Sequence, residues 1–282
     1  MLSVMHATFI RKLLDLQVNR ICGFVFFAAL LTSCGGPVPT QEEIKQDTRD
    51  NRAAQLVRVA DTTREGGDFS NAMQLYARAA AMRMDWIVPL KRLGETALVA
   101  GQFARARNAY EKASNIDPSD IENHLGMGRV DLKTGEYDNA LVAFETAARL
   151  APEDNRGHNG AGVTFDLMGN HARAQDRYIT GMEKAPDNLP LQNNLGLSLA
   201  LSGEHAEAID VLQKAAAAAG SGLETRSNLA LVFGLMGDEE NARQTASIDL
   251  KPAEVANNLS YFDRLRAMSP EDRVKAVFGL VK

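Results

Sequence analysis

The chain has 282 residues, 31 of them basic and 36 acidic, for a formal charge of −5. Apolar residues at 45% and charged residues at 24% are ordinary for a soluble folded domain. An acidic balance gives no electrostatic footprint for nucleic acid. Residues 1–33 read as a leader to be removed. Arg11, Lys12 and Arg20 supply positive charge ahead of an apolar run from Ile21 to Leu31. Eleven residues are too few to span a bilayer, which takes about 20. Without that leader the balance is 28 basic to 35 acidic, or −7. The charged lead before the run is long, which leaves Met1 and Met5 as alternative starts.

The run closes in Leu31-Thr32-Ser33-Cys34-Gly35-Gly36, which resembles the lipobox of bacterial lipoproteins. The resemblance implies cleavage before Cys34, a diacylglycerol on its thiol and acylation (palmitate-type chains) of the new amino group. An ordinary signal peptide with a chance cysteine is the alternative. Several acyl chains anchor stably where one binds only marginally. In enterobacterial lipoproteins an aspartate after the cysteine favours inner-membrane retention, so with Gly35 there the resemblance implies the periplasmic face of a Gram-negative outer membrane. The only other cysteine, Cys22, leaves with the leader, so the mature chain has no disulfide and no cysteine metal site. Residues 34–46 read as the lipidated cysteine and a flexible polar tether.

From there a 34-residue step organises the chain. Glycines recur at Gly67, Gly101, Gly135, Gly169, Gly203 and Gly237. Five residues after each stands Ala72, Ala106, Ala140, Ala174, Ala208 and Ala242. Four further on come Tyr76, Tyr110, Phe144, Tyr178 and Leu212, with Ala246 in the sixth copy. Pro118, Pro152 and Pro186 close the central copies. This pattern resembles the tetratricopeptide repeat (TPR), and the resemblance implies an all-α, right-handed solenoid of six helical hairpins. Copies start near 53, 87, 121, 155, 189 and 223. The eighth residue of each is Gly or Ala: Ala60, Gly94, Gly128, Gly162, Gly196 and Ala230. A helical glycine costs roughly 0.5–1 kcal/mol against alanine, so close approach of the second helix is the expected reason. After the sixth copy, Pro252 opens a capping helix, and a last short helix begins near Pro270. The solenoid with its cap is placed at 47–268 and the tail helix at 269–282.

Solenoids bind along a concave surface and form no deep cleft. In the first helix of each copy, positions 4, 7, 8 and 11 face the stack. At 100° per residue, positions 2, 5, 9, 12 and 13 point away, with position 6 on the edge. In TPR proteins that opposite face lines the groove. Its back half holds Asn159, Val163, Asp166 and Leu167, then Asn193, Asn194, Leu197 and Leu201, then Ser227, Asn228, Leu231 and Leu235. Its front half is more basic, with Lys91, Arg92, Glu95, Leu98 and Val99, then Leu125, Arg129, Leu132 and Lys133. Asparagine offers donor and acceptor to a peptide backbone, and the aliphatics take side chains. The expected ligand is a protein segment with an apolar and an acidic part. The alternative is that the asparagines bridge adjacent helices and that the chain's own cap, or self-association, covers the apolar row.

Candidates for chemistry are weak. His124 and His158 share position 4, while His171 and His205 share position 17. A separation of about 10 Å between neighbouring hairpins is too long for two ligands of one zinc. No phosphate loop, HExxH or GxSxG is present, so the expectation is no enzyme, no metal, no cofactor and no small-molecule substrate.

The ending is the more distinctive part: Ser227-Asn228-Leu229-Ala230-Leu231, Gly234-Leu235, Gly237, Ala242-Arg243, Asp249-Leu250, then Ala256-Asn257-Asn258-Leu259-Ser260-Tyr261. With the lipobox and six repeats it resembles the TPR lipoprotein of tight-adherence (Tad, or Flp) pilus systems, TadD. That resemblance implies a pilotin-like scaffold that helps to assemble the pilus machinery, with the secretin or other pilus components as partners. The alternatives are a type IVa pilotin-like TPR lipoprotein, or an adaptor that recruits periplasmic proteases or peptidoglycan enzymes.

Overall fold

A computed structural model describes residues 40–279 apart from 184, 219 and 221, and of residue 44 the backbone alone. The leader, Cys34 and residues 35–39 of the expected tether lie outside the described residues. Among those described, the chain forms fourteen helices and no strand. Six hairpins follow one another. They are α1 (Gln41–Glu65) with α2 (Phe69–Met82), α3 (Ile87–Val99) with α4 (Phe103–Ile116), and α5 (Ile121–Thr134) with α6 (Tyr137–Leu150). Then come α7 (Arg156–Leu167) with α8 (His171–Met182), α9 (Leu189–Ser202) with α10 (His205–Ala217), and α11 (Leu223–Met236) with α12 (Glu239–Ala246). Two further helices, α13 (Pro252–Ala267) and α14 (Pro270–Val277), follow. The architecture is the expected all-α TPR solenoid.

Residues 41–46, expected in a tether, are instead the first turns of α1. Glu42 and Glu43 sit where a helix N-terminus favours acids. The exposed turns are laced by Gln46 to Asp50 (2.9 Å) and Asn51 to Asp47 (3.1 Å), four residues apart. Arg83 of the α2 C-cap reaches back to Asp50 at 3.2 Å.

The turns explain the glycine ladder. All six turn glycines have positive φ, from 71° to 92°, the region where a Cβ is penalised. Asp68, Asn170 and Asp238 then accept from backbone N–H groups to start α2, α8 and α12. Position-8 glycines meet the bulky residue of their own hairpin. A Cβ at Gly94 would lie 2.8 Å from the Tyr110 ring, at Gly128 2.7 Å from Phe144, and at Gly162 2.3 Å from Tyr178. Tyr110 and Phe144 also reach the next hairpin, where a Cβ at Gly126 or Gly160 would lie 2.4 or 2.3 Å from their rings. One aromatic thus fills both the hairpin and the gap to its neighbour, which makes a continuous core out of units too small to own one.

The end differs from the middle. The sixth hairpin has Ala246 where the others are bulky, and α12 is only eight residues long. Phe262 of α13 fills in, packed so closely on α11 that a Cβ at Gly234 would meet its ring at 2.4 Å. Asp249 takes a two-pronged bond from Arg226 at 2.5 and 2.8 Å, tying the α12–α13 connection to α11.

Candidate functional site

The first helices of the hairpins, α3, α5, α7, α9 and α11, pack each against the next, and α13 continues the row. The second helices pack on the first helices of their own and the following hairpin. One face of the solenoid is therefore lined by first helices alone, and the expected groove residues belong to it.

In the front half, charge is balanced locally. Lys91 pairs with Asp120 at 2.6 Å, and Arg92 with Glu95 at 3.3 Å and Asp61 at 3.7 Å. The expected basic face is corrected accordingly: its first two cations are paired, Lys91 with the N-cap acid of α5 and Arg92 with an acid of its own helix and one of the first repeat. Arg129 and Lys133 are exposed, and Val99 is 71% exposed. Leu125, expected on the groove, is buried with Ala140, Phe144, Ala147 and Ala161, because the narrow Gly126 beside it lets α5 settle onto Tyr110.

In the back half the row of asparagines is partly a structural bridge. Asn194 donates to Asn159 at 2.8 Å across α9 and α7. Asn193 is buried, while Asn228 is half-buried. Val163 is half-buried against the core of the fourth and fifth repeats. The aliphatic row is covered. Leu197 (6% exposed) and Leu231 (8%) share a cluster with Val255, Leu259, Phe262 and Leu265 of α13. Leu235, Tyr261, Val277 and Phe278 pack against that cluster, and Leu201 is half-buried. Leu197 and Leu231 are thus corrected from open groove residues to the seat of the chain's own C-terminal helices.

Asp166 and Leu167 are also corrected, since both are buried rather than open to a groove. Asp166 is wholly buried, accepting from Tyr178 (2.8 Å) and Ser198 (2.6 Å), with His171 Nδ1 at 2.7 Å. It turns inward because the Tyr178 hydroxyl needs an acceptor at the hairpin centre. Burial, and then the Asp166 carboxylate, push the Tyr178 phenol well above its usual range. A second inward carboxylate, Asp131, is bonded by Arg107, and burial raises its pKa against the pull of that guanidinium.

The histidines are dispersed. His124 Nε2 contacts the Pro118 carbonyl at 2.9 Å, and burial beside Arg177 lowers the pKa of His158. Among the described residues, no three His, Cys, Asp or Glu side chains are grouped to hold a metal. No described helix is long and apolar enough to cross a membrane. The last helix is what sequence reasoning missed as part of this surface. Its signal was the stripe Val274, Val277, Phe278 at i, i+3, i+4.

A stack of consecutive hairpins with a face of first helices defines a tetratricopeptide-repeat scaffold, a form suited to binding other proteins. Family models described as tetratricopeptide repeat match residues 97–162 and 168–222. No curated protein matches the chain. Among solved structures, a tetratricopeptide repeat protein from Parabacteroides merdae is 15% identical, with a TM-score of 0.61, covering 74% of this chain and 84% of its own. PilF of Pseudomonas aeruginosa is 16% identical with a TM-score of 0.58, covering 81% of this chain and 99% of its own. MamA from Desulfovibrio magneticus is 20% identical with a TM-score of 0.53, covering 58% and 93%. At these identities the likeness is one of fold.

Proposed function

We propose that the protein is a non-catalytic TPR lipoprotein, anchored through Cys34 on the periplasmic face of the outer membrane. There it acts as a pilotin-like scaffold for Tad (Flp) pilus assembly, with the secretin or another pilus component as its partner. The observation that carries the scaffold reading is the face built from first helices, open over α3 and α5. The anchor and the pilus assignment rest on the lipobox-like Leu31-Thr32-Ser33-Cys34 and on the ending from Ser227 to Tyr261. The open front half offers exposed Arg129 and Lys133 on α5 and exposed Val99 on the adjoining α3, a surface for an acidic segment with an apolar flank.

The test is capture from outer membranes by the lipidated protein, followed by identification of what is bound. The expected result is a pilus secretin or a neighbour in its assembly, with fewer secretin multimers in a deletion strain. Arg129→Glu with Lys133→Glu should weaken capture about tenfold or more, while the melting temperature stays near wild type because both side chains are exposed. Cys34→Ser should release the protein from the membrane. Full secretin assembly in the deletion strain would remove the pilus role, and undiminished capture by the double variant would remove the front-half groove.

A further inference from the structure

The inner face of the back half already has an occupant. Helix α13 packs on α11 and α12 as the first helix of a seventh hairpin would. Helix α14 does not fold back as the second helix of that hairpin. It crosses to α7 and α9, both first helices, two and three repeats upstream. The reversal takes only Met268 and Ser269. Ser269 accepts from Asp272 N–H, and Arg273 donates to the carbonyls of Leu265 (2.9 Å), Arg266 (3.1 Å) and Met268 (3.2 Å).

The two terminal helices are held very differently. Four large residues of α13, Val255, Leu259, Phe262 and Leu265, are buried, which makes it a permanent cap. Of α14 only Val274 is buried (4% exposed), and Val277 and Phe278 are half-buried. Eight residues are too few for a helix to persist alone in water. So α14 keeps its form only while seated, and little apolar surface seats it. A cap that closes a solenoid covers its last hairpin, whereas α14 covers the binding face of earlier ones.

We propose that the groove over α7, α9 and α11 is a docking site for a short amphipathic helix of a partner protein, and that α14 is its tethered competitor. The partner helix carries an apolar stripe at i, i+3, i+4, as Val274, Val277 and Phe278 do, set on the Leu197–Leu231 row. Binding displaces α14 about the two-residue hinge: the Arg273 bonds to the last turn of α13 and the Tyr261 bond to Ala276 break, while the four buried side chains of α13 stay in place. This deepens the scaffold reading and rests on it.

The test uses a fluorescein-labelled peptide of residues 269–279 and the full-length mature chain, followed by anisotropy. In the wild-type chain the tethered helix competes at an effective concentration in the millimolar range, so the free peptide binds weakly. Val274→Asp in the chain should vacate the groove and tighten peptide binding at least ~10-fold. Adding Leu197→Asp should abolish it, as should Val274→Asp in the peptide. Equal binding to wild-type and Val274→Asp chains, or none to either, overturns the proposal. Hydrogen exchange on the wild-type chain gives a reading without any variant. Amides of α14 should exchange at least ~10-fold faster than those of α13 through local opening. Equal rates would make α14 a fixed cap and overturn the proposal. Unimproved peptide binding with outer-membrane capture intact removes the competitor and spares the scaffold. Improved peptide binding with no protein captured by either chain supports the competitor and removes the scaffold's partner.

Discussion

Gly162 and Tyr178 hold the fourth hairpin together. A Cβ at Gly162 would lie 2.3 Å from a ring that is itself wholly buried. Gly162→Ala therefore sets a propensity gain of about 1 kcal/mol against an overpacked contact. Overpacking costs about 1–3 kcal/mol, and here the ring has nowhere to move. The expected outcome is a lower urea midpoint for the variant. Beside it, Asp166→Ala would orphan the Tyr178 and Ser198 hydroxyls and His171, which all meet that carboxylate. The expected loss is about 3 kcal/mol, read from the same unfolding curve. The glycine was legible in the sequence, since only close packing accounts for its recurrence at one position. Asp166 was not, because a wheel of 100° steps cannot see a hydroxyl arriving from the next helix.

His158 gives the molecule a pH dependence with a definite sign. Burial first, and then Arg177, lower its pKa in the folded state, with Glu183 opposing. The unfolded chain then binds the extra proton, so stability is full above the ordinary histidine value. It falls as the pH drops below about 6.5 towards the lowered folded value. Melting temperatures of His158→Gln should fall less than wild type between pH 7.5 and 5.5.

Among the elements, α13 carries the end of the stack. Phe262 is buried against Gly234 and stands in for the bulky residue that the sixth hairpin lacks. Phe262→Ala should cost about 3–5 kcal/mol. Amide exchange should rise first in α11 and α12 and leave α3 to α6 unchanged, since each hairpin feels only its neighbours. Both terminal helices were expected from Pro252 and Pro270. The destination of α14 was not, because an apolar stripe says that a face is buried and not against what. The start of α1 shows a similar limit: a polar Gln- and Glu-rich stretch reads as tether, yet continuing a helix already seated from Ala53 onward nucleates nothing new.

At the scale of the whole molecule, stability should be nearly modular. Deleting residues 121–154 removes one repeat and brings Tyr110 of α4 against Gly160 of α7. Gly126, which normally receives that ring, occupies the same position of its own repeat. The shortened chain should keep its helicity per residue by circular dichroism and unfold at a lower denaturant concentration. A loss of helical signal well beyond one repeat would show that the hairpins are coupled over longer range.

The sequence by itself determined the repeat length, the hairpin, the stacking positions and the caps, because turn glycines, position-8 glycines and helix-starting residues act within one repeat or on the next. Only the tertiary structure decided which part of the inner face stays open. Asp61 answers Arg92 and Asp120 answers Lys91 from other helices, Asp166 turns into the core, and α14 covers the Leu197–Leu231 row. Those pairings join residues far apart in the chain, and no local period encodes which distant surface a side chain will meet.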